Sequence, residues 1–119
     1  MPIPGTVCDD ETVYVNANLR AMPYDAGAAF QWSLGIDHCN GLPAYTHSDW
    51  YLPSKDQLAA LYANKAAIKE FNTGGYPGGW YWSSTPQDTL YAWGQQFADG
   101  HQFTDGRTYT HQVRCVRTP

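Results

Sequence analysis

The sequence predicts a single α+β domain in which two helices flank a small twisted antiparallel sheet with long loops. Three observations lead there. The 119 residues suffice for one hydrophobic core and are short for two. Phe, Trp and Tyr make up 15% of the chain while 11 glycines and 8 prolines interrupt it, which suits irregular backbone held by large rings better than a helical bundle. Helical spacing of apolar residues is confined to the middle of the chain, with strand-like alternation on either side of it.

Thr12-Val13-Tyr14-Val15-Asn16 alternates β-branched and aromatic residues and is expected to open the sheet. Residues 18–30 contain Pro23 and Gly27 and read as a connector. From Gln31 onward, Trp32, Ile36 and Cys39 recur at helical spacing, so a first helix turns that side to a core and Asp37 away from it. The Asn40-Gly41 pair predicts a left-handed stop. Ser54, preceded by Pro53 and followed three residues later by Gln57, predicts a capping box at the start of a second helix. Leu58, Leu61, Tyr62, Lys65 and Ile68 share one face of that helix, which is expected to end before Asn72.

Four glycines and a proline make residues 72–79 a loop. Beyond it Trp80, Trp82 and Ser84 alternate with Tyr81 and Ser83, and Trp93, Gln95 and Phe97 alternate with Gly94 and Gln96. Asp99-Gly100 and Asp105-Gly106 read as tight hairpin turns. Trp50, Trp80, Trp82 and Trp93 are assigned to the core.

Charge and motif content narrow the function. The net charge is −4 and the seven cations are scattered, whereas a nucleic-acid backbone calls for a concentrated positive face. No apolar run reaches membrane-spanning length, so no membrane insertion is expected. The opening Met1-Pro2-Ile3-Pro4-Gly5 lacks the charged start and apolar centre of a secretion signal, which leaves a protein assembled in the cytosol or a mature domain of something longer. Cys8, Cys39 and Cys115 admit two states: one bridge, with Cys39–Cys115 the favoured pairing and Cys8 free, or three reduced thiols. No two cysteines have the spacing of a zinc site, so neither a metal nor another cofactor is expected. His38, His47, His101 and His111 stand in no nucleophile motif, and Ser83-Ser84 lacks the glycines of a nucleophile elbow, so the chain reads as non-enzymatic.

Several anchors recur in a fixed order: Asp49-Trp50-Tyr51-Leu52-Pro53-Ser54, Leu58 and Leu61, Tyr81-Trp82-Ser83-Ser84-Thr85, Ala92-Trp93, Phe97-Ala98-Asp99-Gly100 and Val113-Arg114-Cys115-Val116-Arg117. Over residues 28–117 this order resembles the Lcl C-terminal domain family of collagen-like bacterial adhesins. The words Lys65-Ala66-Ala67-Ile68, Phe71-Asn72 and Gly79-Trp80-Tyr81-Trp82 resemble a subgroup found in phage tail proteins and in surface proteins diversified by retroelements. The resemblance implies a C-type-lectin-like fold and a ligand-binding module displayed on a virion tail or cell surface, with a protein or glycan of a target surface as partner. A homotrimer, as a structural tip on a fibre, is the alternative.

In diversified members the variable positions lie between the anchors of the last segment. Here those gaps hold, among others, Gln87, Gly94, Gln96 and Thr104; most residue types in the gaps are reachable from an asparagine codon by changing adenines, but Gln87 and Gln96 are not if the third base is a pyrimidine. The expected ligand-binding residues are Asp88, Leu90, Tyr91, Gln96, Asp99, His101, Phe103, Asp105, Tyr109 and His111. Tyrosine in such loops offers broad contact area at small entropic cost. Two departures from the family matter: Tyr51 stands where many relatives carry arginine, and the acidic chain lacks the basic cluster that binds sulfated polysaccharides. The calcium-binding words of sugar-binding lectins are also missing.

Overall fold

The computed structural model describes residues 2–119 and is α+β, but its strands form two three-stranded antiparallel sheets rather than one. The first sheet has the order β1 (Val13–Asn16), β2 (Leu19–Ala21), β6 (Val116–Arg117). The second runs β3 (Trp80–Pro86), β4 (Tyr91–Gln96), β5 (Gln102–Gly106). β2 lies inside the expected connector. Three residues are too few for alternation to show in sequence, and its partner β6 comes from the far end of the chain, where Arg20 faces Arg117 and Ala21 faces Val116.

Helix α1 (Trp32–Asn40) buries Gly35 and Cys39 and leaves Asp37 exposed. Gly41 ends it at φ −97°, so the predicted left-handed stop is not formed. Helix α2 (Lys55–Ala63) starts with both halves of the capping box: Gln57 N–H donates to Ser54 Oγ at 3.2 Å, and Ser54 N–H donates to Gln57 Oε1 at 2.9 Å. The expected continuous helix breaks at Asn64, whose side chain donates to the Ala60 carbonyl, and a single turn α3 (Lys65–Ile68) follows. Leu58, Leu61 and Ile68 are buried.

Strand β3 explains the two-sheet architecture. Its residues 80–83 are all buried, so it is covered on both faces instead of alternating between core and water. Tyr81 packs with Phe97, Leu58, Leu61 and the first sheet. Trp80 and Trp82 point the other way, into a second core with Trp50, Leu52, Val113 and the Cys39–Cys115 disulfide. The bridge joins α1 to the C-terminal segment and leaves Cys8 free, which settles the cysteine alternatives. Closing a loop with a sequence separation of 76 removes about 4.5 kcal/mol of unfolded-chain entropy in the chain-entropy picture. Trp93 is less enclosed than Trp50, Trp80 and Trp82: it is half-buried on the α2 side of the sheet, under the Lys55 ammonium at 3.6 Å.

The β4–β5 hairpin turns at Asp99-Gly100, where Gly100 takes φ +84° and lies against the Tyr62 ring, so a side chain there has neither a relaxed backbone nor room. Asp105-Gly106 is the end of β5 and makes no tight turn.

Candidate functional site

Two turns meet at one end of the second sheet. In the β3–β4 turn, Asp88 Oδ1 accepts the backbone N–H groups of Leu90 and Tyr91 at 2.8 and 2.9 Å. Gln87 and Asp88 N–H both donate to the Tyr91 carbonyl. The turn after β5 is tied to it by Arg107, whose N–H donates to the Leu90 carbonyl and whose guanidinium donates to the carbonyls of Asp88 and Tyr91. The guanidinium also stacks on Trp32 at 4.1 Å, and the Trp32 N–H donates to the Arg107 carbonyl at 3.1 Å. One side chain thus joins both turns and the first turn of α1.

This frame holds large apolar groups out in water. Leu90 is 68% exposed, Tyr91 45% and Tyr109 59%, the Tyr109 ring lying against Gly106. With Thr89, Arg107 and Thr108 they line an open cleft of about 320 Å³. Exposed side chains of this size on anchored turns suit contact with a ligand by shape, because ordering them on binding costs little further entropy.

The remaining candidates lie farther along the hairpin. Tyr91 pairs with Gly106 at the cleft end, and Gln95 with Gln102 at the other. Asp99 and His101 sit at that far end, roughly 14 Å or more from Tyr91 at about 3.4 Å per residue. Asp99 Oδ1 accepts the His101 N–H, so Asp99 forms the turn, and both side chains are exposed. Phe103 and Asp105 project from β5 onto the Trp80 side of the sheet. With Gln96 they surround Tyr76, a residue the sequence reading passed over. Its hydroxyl donates to Asp105 Oδ2 at 2.7 Å, which raises its pKa to about 12. Its ring is flanked by Phe103, Trp80 and His111. The signal for Tyr76 was its setting: one large ring in a loop otherwise short of side chains.

His111 is a correction. It is only 2% exposed, packed edge-on against Trp80 and Trp82, and donates from Nε2 to Asp105 Oδ2 at 2.7 Å. It faces the core because the residue bridges to Phe30 through reciprocal backbone bonds and turns its side chain inward. Burial lowers its pKa, against the pull of Asp105 and of the nearby Pro77 carbonyl, which makes no hydrogen bond of normal geometry with Nδ1. Gly94, among the gap positions expected to vary, is likewise fixed: a Cβ would fall on the Trp80 indole and the Tyr81 carbonyl.

The Lcl C-terminal domain model matches residues 5–117. The chain belongs to this family. The match begins ahead of β1, so the Lcl C-terminal domain takes in the N-terminal sheet as well as the residues 28–117 on which the sequence resemblance rests. No curated protein matches the chain. Among the described residues of this Lcl C-terminal domain, no group of three or more His, Cys, Asp or Glu is placed to hold a metal ion, and no helix is long and apolar enough to cross a membrane.

Proposed function

We propose that this Lcl C-terminal domain is a non-catalytic recognition module of C-type-lectin-like fold whose ligand, a protein or glycan on a target surface, is met by Leu90, Tyr91 and Tyr109. The observation that carries the reading is the exposure of these three side chains on turns locked by Arg107. A diversified or phage-receptor role is supported by the same contrast: Trp80, Trp82, Ala92, Phe97 and Cys115 are buried anchors, while Leu90, Tyr91, Asp99, His101 and Tyr109 between them are exposed. Gly94 and His111 are excluded from the freely variable set by packing. The Cys39–Cys115 disulfide supports an extracellular or virion-surface setting, since cytosolic thiols are kept reduced.

The test is an array of glycans and host-surface proteins probed with the native domain and with L90A/Y91A/Y109A. Loss of the positive signal, with the melting temperature within a few degrees, is the expected result; undiminished binding by the variant places recognition elsewhere. The same apolar side chains also suit a subunit interface. A light-scattering mass of three times 13.3 kDa that falls to a single chain in this variant would make the domain a trimerising tip.

A further inference from the structure

The rings of this protein are used in two ways. Among the described residues five carry a cation: Arg20 over Tyr14, Lys55 over Trp93, Lys65 over Tyr62, Arg107 over Trp32 and Arg114 over Phe71. Of the two other cationic side chains, Arg117 pairs with Asp49, and Lys69 lies beside Gly5 and Tyr24 on a different part of the surface. Among the described residues, therefore, none of the seven pairs with the carboxylate or stacks on the rings of the aromatic row beside β5. That row runs from His101 to Phe103, ring centroids 5.4 Å apart, and on to Tyr76 at 6.1 Å, where it meets the Asp105 carboxylate. Tyr76 is 49% exposed although its neighbours Trp80 and His111 are buried.

The row is also electrically open. Asp105 receives the Tyr76 hydroxyl and His111 Nε2 on one oxygen and the Gly106 N–H on the other, and burial keeps that imidazole neutral near pH 7, so none of the three donors carries a charge that cancels the carboxylate's. Asp99 adds a second negative charge next to His101. The glycine-rich loop that carries Tyr76 is pinned: with its amide oriented to satisfy both ends, the Gln96 side chain accepts from the Tyr76 N–H at 2.6 Å and donates to the Gly79 carbonyl at 3.3 Å. Ring faces and a carboxylate held in fixed positions attract the same kind of ligand, a cation with apolar surroundings.

We propose that Tyr76, Phe103 and His101, with Asp105, seat a cationic side chain, lysine or arginine, presented by a partner protein. This rests on the reading of the domain as a recognition module and names the partner class as a basic protein surface. Tetramethylammonium chloride is the probe, titrated into the isotope-labelled domain at constant ionic strength, with tert-butanol as a neutral control of nearly the same shape. Saturable NMR shifts of Tyr76, Phe103 and His101 with the cation, weak or absent with the alcohol, are expected. Their apparent affinity should fall at least about fivefold in Y76A, the scale of one cation–π contact. Equal shifts with both probes, shifts that persist in Y76A, or saturation by a neutral hexose instead would overturn the proposal. If Y76A does not fold, the comparison of the two probes on the native domain still decides. This titration reads Tyr76, Phe103 and His101 in the native domain, whereas the array reads Leu90, Tyr91 and Tyr109, so failure here and failure of the wider reading are separable.

Discussion

Arg114 and Arg107 do similar work in opposite settings. Each stacks on a ring and donates to backbone carbonyls, but Arg114 is fully buried and Arg107 half-buried at the edge of the candidate cleft. Arg114 donates from Nε to Asp25 at 2.8 Å and reaches the carbonyls of Met22, Lys69 and Glu70. Lys69 and Glu70 both have positive φ, at 75° and 66°, so the arginine holds a chain reversal that these side chains disfavour. Asp25 also accepts from the Tyr81 hydroxyl at 2.5 Å, which in turn accepts the Asn72 N–H. Burial raises the Asp25 pKa despite the neighbouring guanidinium, so the pair is costly to bury and costlier still to separate. Arg107 has no carboxylate partner among the described residues; water screens what the carbonyls do not take. The difference separates an arginine that keeps the domain folded from one that keeps a surface in shape.

Removing Arg114 should have the largest effect. R114M leaves Asp25 without its guanidinium partner and several carbonyls unpaired, an expected loss of about 3–5 kcal/mol in denaturant unfolding. R114K should recover little, because one ammonium cannot span the same set of acceptors. A loss below about 1 kcal/mol would place Arg114 in the same class as Arg107.

An intermediate effect comes from His111, which braces the surface from inside. The native imidazole is held neutral, with its pKa below the ordinary value of about 6.5. The unfolded chain therefore takes up a proton as the pH falls through that value while the folded chain does not. Stability is complete above about pH 6.5 and is lost below it, by at most about 1.4 kcal/mol per pH unit for one group. Thermal melts of the native domain between pH 7.5 and 5 should show this slope, and H111Q should flatten it.

The smallest change in stability is expected at Arg107. R107A should cost within about 1 kcal/mol, yet amide exchange at Leu90 and Tyr91 should accelerate relative to the β4 core. If exchange at these two amides is unchanged, Asp88 alone holds the turn and the clamp is dispensable.

The two regions were unequally legible in the sequence. The Ser54–Gln57 capping box, the apolar face of α2 and the glycine-rich loop are written within a few residues each and are found where local spacing places them. The single strong turn signal that held, Asp99-Gly100, depends on one positive φ. Asp105-Gly106 has the same letters but continues a ladder with Tyr91 and Ala92, because cross-strand pairing outweighed the local preference for a turn. His111 lies inside rather than on the surface, and Trp93 is only partly covered, for a related reason: exposure depends on which second layer covers each face of the sheet, and that layer comes from distant segments.

The sequence by itself determined the α+β composition, the helix starts, the turn at Gly100 and the family, since these rest on short-range stereochemistry and on anchor order. Only the tertiary structure decided the split into two sheets, the burial of β3 on both faces, the pairing of Arg114 with Asp25, and the convergence of Tyr76 with Phe103 and Asp105. Each joins residues far apart in the chain, and burial and charge pairing act through space, where sequence distance carries no weight.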